Sequence, residues 1–419
     1  MKIIGGVPMR IVHIEAYYPS KLGYHLSYIA PYQKRKGNDV FVITSDRLWP
    51  SQKDYESTLR PILGPRCVAS GVYTENDVST YRLGSFEYKV ICYLRGLRRL
   101  LERIRPDMVH VHHVFWNPAA IQTALWKPKL GYGLLYDSHV ADYNTNLRGT
   151  MIKNMVSMGF QLYVSPLLKH RADFITAIGE SERDVLCREL RLKPEDIPII
   201  PLGTDIQAFR FDAQRRCAVR QMLSIGNEEL MILTSGKITR DKDIPILLEA
   251  FARVVALGIP SRLVIVGNGP EDYLGNLKKI IMHNEYLQGK VTFIGAVPHS
   301  DLVSYYSAAD VGVWAGGPTI SIREAIACSL PVIIADNTTC GYAYSGEELV
   351  SRGNGVRFPR GDAYVLSEQL VMLFRNDRAR EHMRMIARRF AEEELSWDVI
   401  ADSYLELYKE ALRRNHRES

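Results

Sequence analysis

The sequence has no run of 18 apolar residues, which excludes an α-helical membrane span. It has no C-x-x-C pair. The six cysteines, Cys67, Cys92, Cys187, Cys217, Cys328 and Cys340, are scattered and have no adjoining histidine cluster. Neither a metal site nor a disulfide framework is expected from them, and buried reduced thiols are. Charge of one sign is also scarce: 53 Lys and Arg face 47 Asp and Glu, a net of +6. With no base-reading motif present, a nucleic-acid binder is not expected; the mild positive balance suits anionic ligands or an acidic membrane surface. The opening MKIIGGVPMR is broken by Pro8 and Arg10, so no signal-peptide core is expected and the cytoplasm is the expected location. No complete G-x-G-x-x-G occurs, and no repeat of 20–50 residues, which excludes a solenoid.

What is present is an ordinary globular composition, 46% hydrophobic and 24% charged over 419 residues, enough for two or three domains. Strand and helix patterns alternate almost throughout. Strands are expected at 10–16, 39–44, 108–112, 133–136, 173–177 and 197–200. Helices are expected at 21–36, 87–105, 151–170 and 181–190. In the helix at 87–105, Val90, Leu94, Leu97, Leu101 and Ile104 form one buried stripe opposite Arg95, Arg98, Arg99 and Arg103. That basic face is a solvated surface or a contact for acidic lipid headgroups. The Met-rich helix at 151–170 is expected in the core. Residues 45–82 read as an elaborated surface loop.

Residues 201–214 break the periodicity as a linker. A second series follows, with strands at 230–234, 262–266, 290–294, 311–314 and 331–335. Its helices are expected at 243–257, 272–284, 300–307 and 321–328, with tail helices at 363–375 and 397–414. The pattern implies an α/β fold of mostly parallel, doubly wound sheets.

Ligands of such sheets bind at the carboxyl ends of strands. In the second half those ends carry Gly236, Lys237 and Lys242; Gly267, Asn268 and Gly269; Gly295 and Val297; and the stretch GGPTISIREAIACSLPVIIAD from Gly316. Gly316 and Gly317 admit a ligand against bare backbone. Thr319 or Ser321 is placed to cap the following helix, whose first N–H groups suit a phosphate. Glu324 in its first turn favours the helix and can also accept from sugar hydroxyls. Two lysines five residues apart can reach one diphosphate. In the first half the strand ends carry Tyr18–Gly23, His112–His113 and Asp137-Ser138-His139. Each feature alone has a bland reading: a solvent lysine, an ordinary glycine turn, a structural histidine.

Taken together, SGKITRDKDIPILLEAF, LVIVGNGPE, VTFIGAVPHSDLVSYYSAADVGVW and IREAIACSLPVIIA resemble, in order and spacing, the retaining glycosyltransferases of family 4. The first half resembles them more loosely, through YYPSKLGYHLSYIAPYQKRKGNDVFVIT, PDMVHVHH, YDSHV, ADFITAIGESERD and IPLGTDIQAF. The resemblance implies the GT-B architecture, two Rossmann-like doubly wound domains facing a cleft. Residues 1–205 would bind the acceptor and 206–395 the nucleotide-sugar donor, while 396–419 would form a helix packing back on the first domain. It also implies that Lys237 and Lys242 bind the donor diphosphate, that Glu324 binds the ribose, that His139 stands near the donor sugar, and that Gly23 lies beside the phosphates. Gly236, Gly267, Val297, Gly316, Gly317, Thr319 and Ile320 complete the donor site. The family's first acid, eight residues before Glu324, falls on Gly316. Leu22-Gly23 replaces paired glycines, and Leu202-Gly203-Thr204-Asp205 replaces an Asn-Gly-Val-Asp turn.

The expected activity is transfer of a sugar from a nucleotide diphosphate, UDP foremost, to a glycan or lipid-linked acceptor with retained configuration and no metal or other cofactor. Lys237, Lys242 and His139 are its catalytic candidates. The acceptor would meet residues 45–82 and 143–158, and the chain could sit peripherally on a membrane. Two other classes fit the same residues: a nucleotide-sugar epimerase, and a binding protein that kept the fold without turnover.

Overall fold

The computed structural model describes residues 8–50, 55–142, 150–317, 319–340 and 346–418. The chain divides into two compact units, Met1–Leu202 with Trp397–Ser419, and Gly203–Ser396.

Among the described residues, the first unit holds nine strands: β1 (Arg10–Ile14), β2 (Asp39–Ser45), β3 (Gly71–Glu75), β4 (Val78–Leu83), β5 (Ser85–Tyr88), β6 (Ile91–Leu94), β7 (Met108–Val111), β8 (Gly133–Ser138) and β9 (Phe174–Ala177). Seven form one sheet in the order β3-β4-β2-β1-β7-β8-β9. All its pairs are parallel except β3 with β4. From β4 to β9 this is the doubly wound order, which reverses between β1 and β7. The second unit holds β10 (Leu230–Ser235), β11 (Ser261–Val266), β12 (Val291–Gly295), β13 (Val311–Trp314), β14 (Val332–Asp336) and β15 (Gly355–Pro359). Their order β12-β11-β10-β13-β14-β15 reverses between β10 and β13. The central strands are buried along their whole length, as strands covered by helices on both faces must be. The last helix, Trp397–Glu418, belongs to the first unit. Its Trp397, Ile400, Tyr404 and Tyr408 pack with Ile11, Leu26 and Ile29, and Trp397 stacks on Tyr28 at 5.0 Å.

Several expectations need correction. Residues 87–105 are not one helix: β5 and β6 form an antiparallel hairpin, and the helix runs only over Leu97–Ile104. Gly96, with φ of 77°, marks the break. Before it the burial alternates, with Cys92 and Leu94 inside and Val90, Ile91 and Tyr93 outside. Burying Leu94 contributes about 1.5–3 kcal/mol, more than the few tenths that helix propensity offers. The stretch 45–82 is not a plain loop, because β3 and β4 turn through Asn76 and Asp77, both at positive φ, and β4 joins the sheet beside β2. The helix at 21–36 begins only at Leu26, since Gly23 at φ 64° interrupts it.

The Met-rich segment at 151–170 is core only in its second half, where Leu168 is buried and Phe160, Val164 and Leu167 pack beside it. Met151, Met155 and Met158 are exposed, and in that first half Ser157 turns inward, bonded to Glu189. The expected strand at 197–200 reduces to one bridge, Ala177 to Ile199. Helices Pro118–Leu130 and Asp377–Phe390 and strand β15 were not anticipated. Cys92 and Cys328 are buried thiols, but Cys67 and Cys217 are exposed. Of the expected acceptor segments, residues 51–54 and 143–149 lie outside the described residues, as does the side chain of Cys340.

Candidate active site

In the second unit, β10 and β13 end side by side where the strand order reverses, so their loops must meet. Gly236, Lys237 and Lys242 from the first loop and Gly316 and Gly317 from the second line one depression. The loops touch backbone to backbone. Gly317 N–H donates to the Asp241 carbonyl at 3.0 Å, and Lys242 Nζ donates to the Gly317 carbonyl at 3.3 Å. A Cβ on Gly316 would lie 2.1 Å from the Asp241 carbonyl oxygen, so no side chain fits there. The missing acid is thus a consequence of loop packing. Gly267 is equally constrained: its Cβ would lie 1.9 Å from the Gly236 oxygen.

Lys237 is exposed and has no ion pair among the described residues. Lys242 is half-buried and lies 3.1 Å from an Asp241 carboxylate oxygen. Burial would raise that carboxyl, but Thr239 and Lys242 outweigh it and lower it below the ordinary value.

Thr319 and Ser321 do not cap the helix Ser321–Ala327, contrary to expectation. Their hydroxyls bond to each other at 3.2 Å, and Ser321 donates to the Ser235 carbonyl, which Trp314 Nε1 also reaches. These side chains fasten the helix start to the end of β10 and leave the capping position to Ile320, whose side chain is exposed. Glu324 is buried and already engaged. Its Oε1 lies 2.7 Å from His299 Nε2, and its Oε2 accepts from the Tyr306 hydroxyl at 3.2 Å. Tyr306 also meets Ser235 at 3.0 Å, which links Glu324 to the lysine loop. Val297 lies two residues before His299 and packs on the apolar cluster below.

His299 was missed in the sequence; only its place in the VPHSDL segment could have suggested it. Its bond to Glu324 raises its pKa above 6.5. A raised imidazole stabilises the fold fully below its unfolded value and loses that contribution as pH rises through the folded value. Glu324→Gln is therefore expected to return the His299 titration, followed by NMR of its ring protons, towards 6.5. An unchanged titration would mean that the pair does not form.

In the first unit, β1, β7 and β8 end at the other reversal point. Their loops bring His139, His112, His113, Glu15 and His25 to a cavity of about 600 Å³, walled by aromatic side chains including Tyr17, Tyr24, Trp49, Phe115 and Trp116. Gly23 stands two residues before His25, at the bend that precedes the helix Leu26–Arg35. Beneath the cavity lies Asp137, fully buried. Its Oδ2 is 2.6 Å from His112 Nδ1 and 3.2 Å from His110 Nε2, and its Oδ1 accepts from the His113 N–H at 3.0 Å. Outer groups hold these rings: His13 Nδ1 is 3.0 Å from His112 Nε2, Gln33 holds His13, and the Tyr408 hydroxyl is 2.7 Å from His110.

Burial, the largest influence, pushes His13 and His25 down to about 3 and His110 and His112 to about 4. Burial would raise Asp137, but its imidazole neighbours, His112 foremost, hold it well below the carboxylate range. At neutral pH Asp137 is thus a carboxylate beside the neutral rings of His13, His25, His110 and His112. Glu15 is raised, by burial first and then by Asp137. Of this constellation the sequence singled out His112, His113, Asp137 and His139 at strand ends, but not His13, His25 or His110.

The family model for glycosyltransferase family 4 matches residues 22–208, and that for glycosyl transferases group 1 matches residues 217–390. Among curated proteins, the chain is 24% identical over 309 residues to an alpha-monoglucosyldiacylglycerol synthase of Acholeplasma laidlawii, covering 70% of this chain and 75% of that one. It is 21% identical over 359 residues to an N-acetyl-alpha-D-glucosaminyl L-malate synthase of Bacillus anthracis, covering 81% and 84%. Among solved structures, a glycosyltransferase from Rickettsia africae aligns with a TM-score of 0.72 at 16% identity, over 97% of this chain and 99% of that one. The Anabaena protein HepE in complex with UDP aligns at 0.70 and 15%, over 96% and 100%. Both units thus have the Rossmann-like order of the GT-B fold, and the chain belongs to glycosyltransferase family 4.

Proposed function

We propose that the chain moves a sugar from a UDP-sugar to the hydroxyl of a glycan or lipid-linked acceptor with retained anomeric configuration. The observation that carries this reading is the interlocked pair of loops at Gly236–Lys242 and Gly316–Gly317, which places two lysines over bare backbone. The leaving diphosphate gains charge as its bond to the sugar breaks. Lys237, Lys242 and the amides near Thr319 and Ile320 stabilise that charge, and this step calls for no metal. Glu324 binds the ribose, and the phosphate oxygen that leaves takes the proton of the incoming hydroxyl. The aromatic-walled cavity of the first unit suits an acceptor with both hydroxyls and an apolar body, with His139 beside the reacting sugar. The names of the relatives agree with this: one makes a glucosyl diacylglycerol, and HepE was solved with UDP and with UDP-glucose.

A membrane surface is the proposed setting. The hairpin β5–β6 exposes Phe86, Tyr88, Val90 and Tyr93 beside exposed Arg95, Arg99 and Arg103. No described helix is long and apolar enough to cross a membrane. The test is turnover with mixed UDP-sugars and synthetic lipid-linked acceptors, with and without anionic vesicles. Release of UDP that depends on acceptor, with an α-linked product from an α-linked donor, is expected. Epimer formation without acceptor, or donor binding with no product on any acceptor, would contradict it.

A further inference from the structure

One carboxyl in the first-unit cavity is left to be completed from outside. Glu15 directly follows β1 and lines the cavity, with its side chain only 11% exposed. Among the described residues its carboxyl makes no hydrogen bond; His113 Nε2 lies 3.7 Å from its Oε1, beyond hydrogen-bond length. A buried polar group in that position is costly until something entering the cavity pairs with it. Burial, and next the charge of Asp137, favour its protonated form. A protonated carboxyl offers one donor and one carbonyl acceptor, the complement of a sugar hydroxyl. The loop after β7 is strained beside the same space. His113 and Trp116 line the cavity and hold positive φ, 66° and 55°, a costly conformation for such side chains that clusters at ligand clamps. Asn117 fastens that loop by donating to the His112 and His113 carbonyls at 3.0 Å.

We propose that Glu15 selects the acceptor, by exchanging hydrogen bonds with a hydroxyl of an uncharged sugar head seated in this cavity. The inference rests on the proposed reading of the cavity as the acceptor's. Tyr24 and Trp49 stack at 5.8 Å and give the cavity a flat aromatic wall for the C–H face of a sugar ring. An anionic head is disfavoured there. Asp137 beneath is ionised, and burial holds His25 and His113 down to about 3 and His112 to about 4, so their rings carry no charge at neutral pH. No lysine or arginine stands among the described residues that line the cavity. The titratable groups around Glu15 are His25 and His112, whose ring nitrogens lie within 4.8 Å of its carboxyl, with His113, Asp137 and, across the cavity lining, His139. Ionised Glu15 would lose its donor and add a second negative charge beside Asp137. Affinity for the sugar head is therefore full while Glu15 is protonated and falls as pH rises through its raised value.

The test uses the full chain without nucleotide, titrated with octyl glucoside, octyl phosphate and octanol below their micelle or solubility limits. Tryptophan fluorescence reads binding, since Trp49 and Trp116 line the cavity. Octyl glucoside should bind at least about tenfold more tightly than the other two, which share its tail. Glu15→Leu should weaken the glucoside about five- to tenfold, the effect of one lost hydrogen bond. Raising pH from neutral to about 9 should weaken it in wild type, and Glu15→Gln, which keeps a donor and an acceptor but cannot ionise, should abolish that dependence. Should Glu15→Leu fail to fold, the two pH series decide alone. Absent glucoside binding, octyl phosphate or octanol binding as tightly, Glu15→Leu binding as wild type does, or the same pH dependence in wild type and Glu15→Gln overturns the assignment. With no donor present, such a failure leaves the transfer reading standing, whereas absent turnover with these affinities intact would strike the transfer reading alone.

Discussion

Replacing Lys242 by alanine is expected to lower kcat at least about a hundredfold while the melting temperature stays within about 2 °C of wild type. The first figure follows from the position of the ammonium group. It sits between the Asp241 carboxylate and the Gly317 carbonyl, at the mouth of the depression where the proposed diphosphate would lie. Removing one preorganised donor to a developing negative charge costs about 10²–10³ in rate. The second figure follows from exposure. The Asp241 side chain is 60% exposed, so water covers it once the lysine is gone and little stability is lost. Single-turnover kinetics and a thermal melt measure the two together. A large loss of stability would make Lys242 a structural residue, and near-normal rates would remove it from the proposed phosphate site.

The second large effect concerns Gly316. Restoring the family's acid by Gly316→Glu is expected to abolish turnover rather than improve it, and Gly316→Ala is expected to lower the melting temperature by about 4–8 °C. The new Cβ would stand 2.1 Å from the Asp241 carbonyl and 2.5 Å from Lys242 Cα. Both are backbone atoms, so relief requires moving the segment that carries Lys242. Gly317→Ala is the control for stability: its Cβ would meet nothing closer than 3.7 Å. If Gly316→Glu gained activity at wild-type stability, the close approach of the two loops would be wrong.

The second unit was the more legible in the sequence. Each of its first five strands lies within about two residues of its apolar run, and the glycine and lysine positions fall at strand ends because the doubly wound order puts them there. Misreadings arose where two periods overlap. Leu94, Leu97, Leu101 and Ile104 have helical spacing and are all buried, yet Leu94 reaches the core from a strand. Gly96 was the available signal. The helix Pro118–Leu130 went unread because alanines and two prolines give it no apolar stripe. The exposed methionines at 151, 155 and 158 show the opposite failure, an apolar face with no core behind it.

The histidine cluster was hidden for a different reason. His13 and His110 are register partners on β1 and β7, His112 follows on the same face, and Asp137 comes from β8, so only the strand order assembles them. Within the sequence, H-x-H at 110–112 and D-x-H at 137–139 were its visible traces. Glu324 was placed correctly in the first turn of its helix, but not its partners, since neither His299 nor Tyr306 is local to it.

The central claim is that the lysines and glycine loops of the second unit grip a diphosphate. Calorimetry with UDP and with uridine, on wild type and on the Lys237→Ala/Lys242→Ala double variant, tests it most directly. Two charge-assisted contacts contribute about 1.5–3 kcal/mol each, so UDP should bind wild type at least about a hundredfold more tightly than uridine. That advantage should largely vanish in the double variant while uridine affinity is kept. A double variant that binds UDP as tightly as wild type would contradict the account.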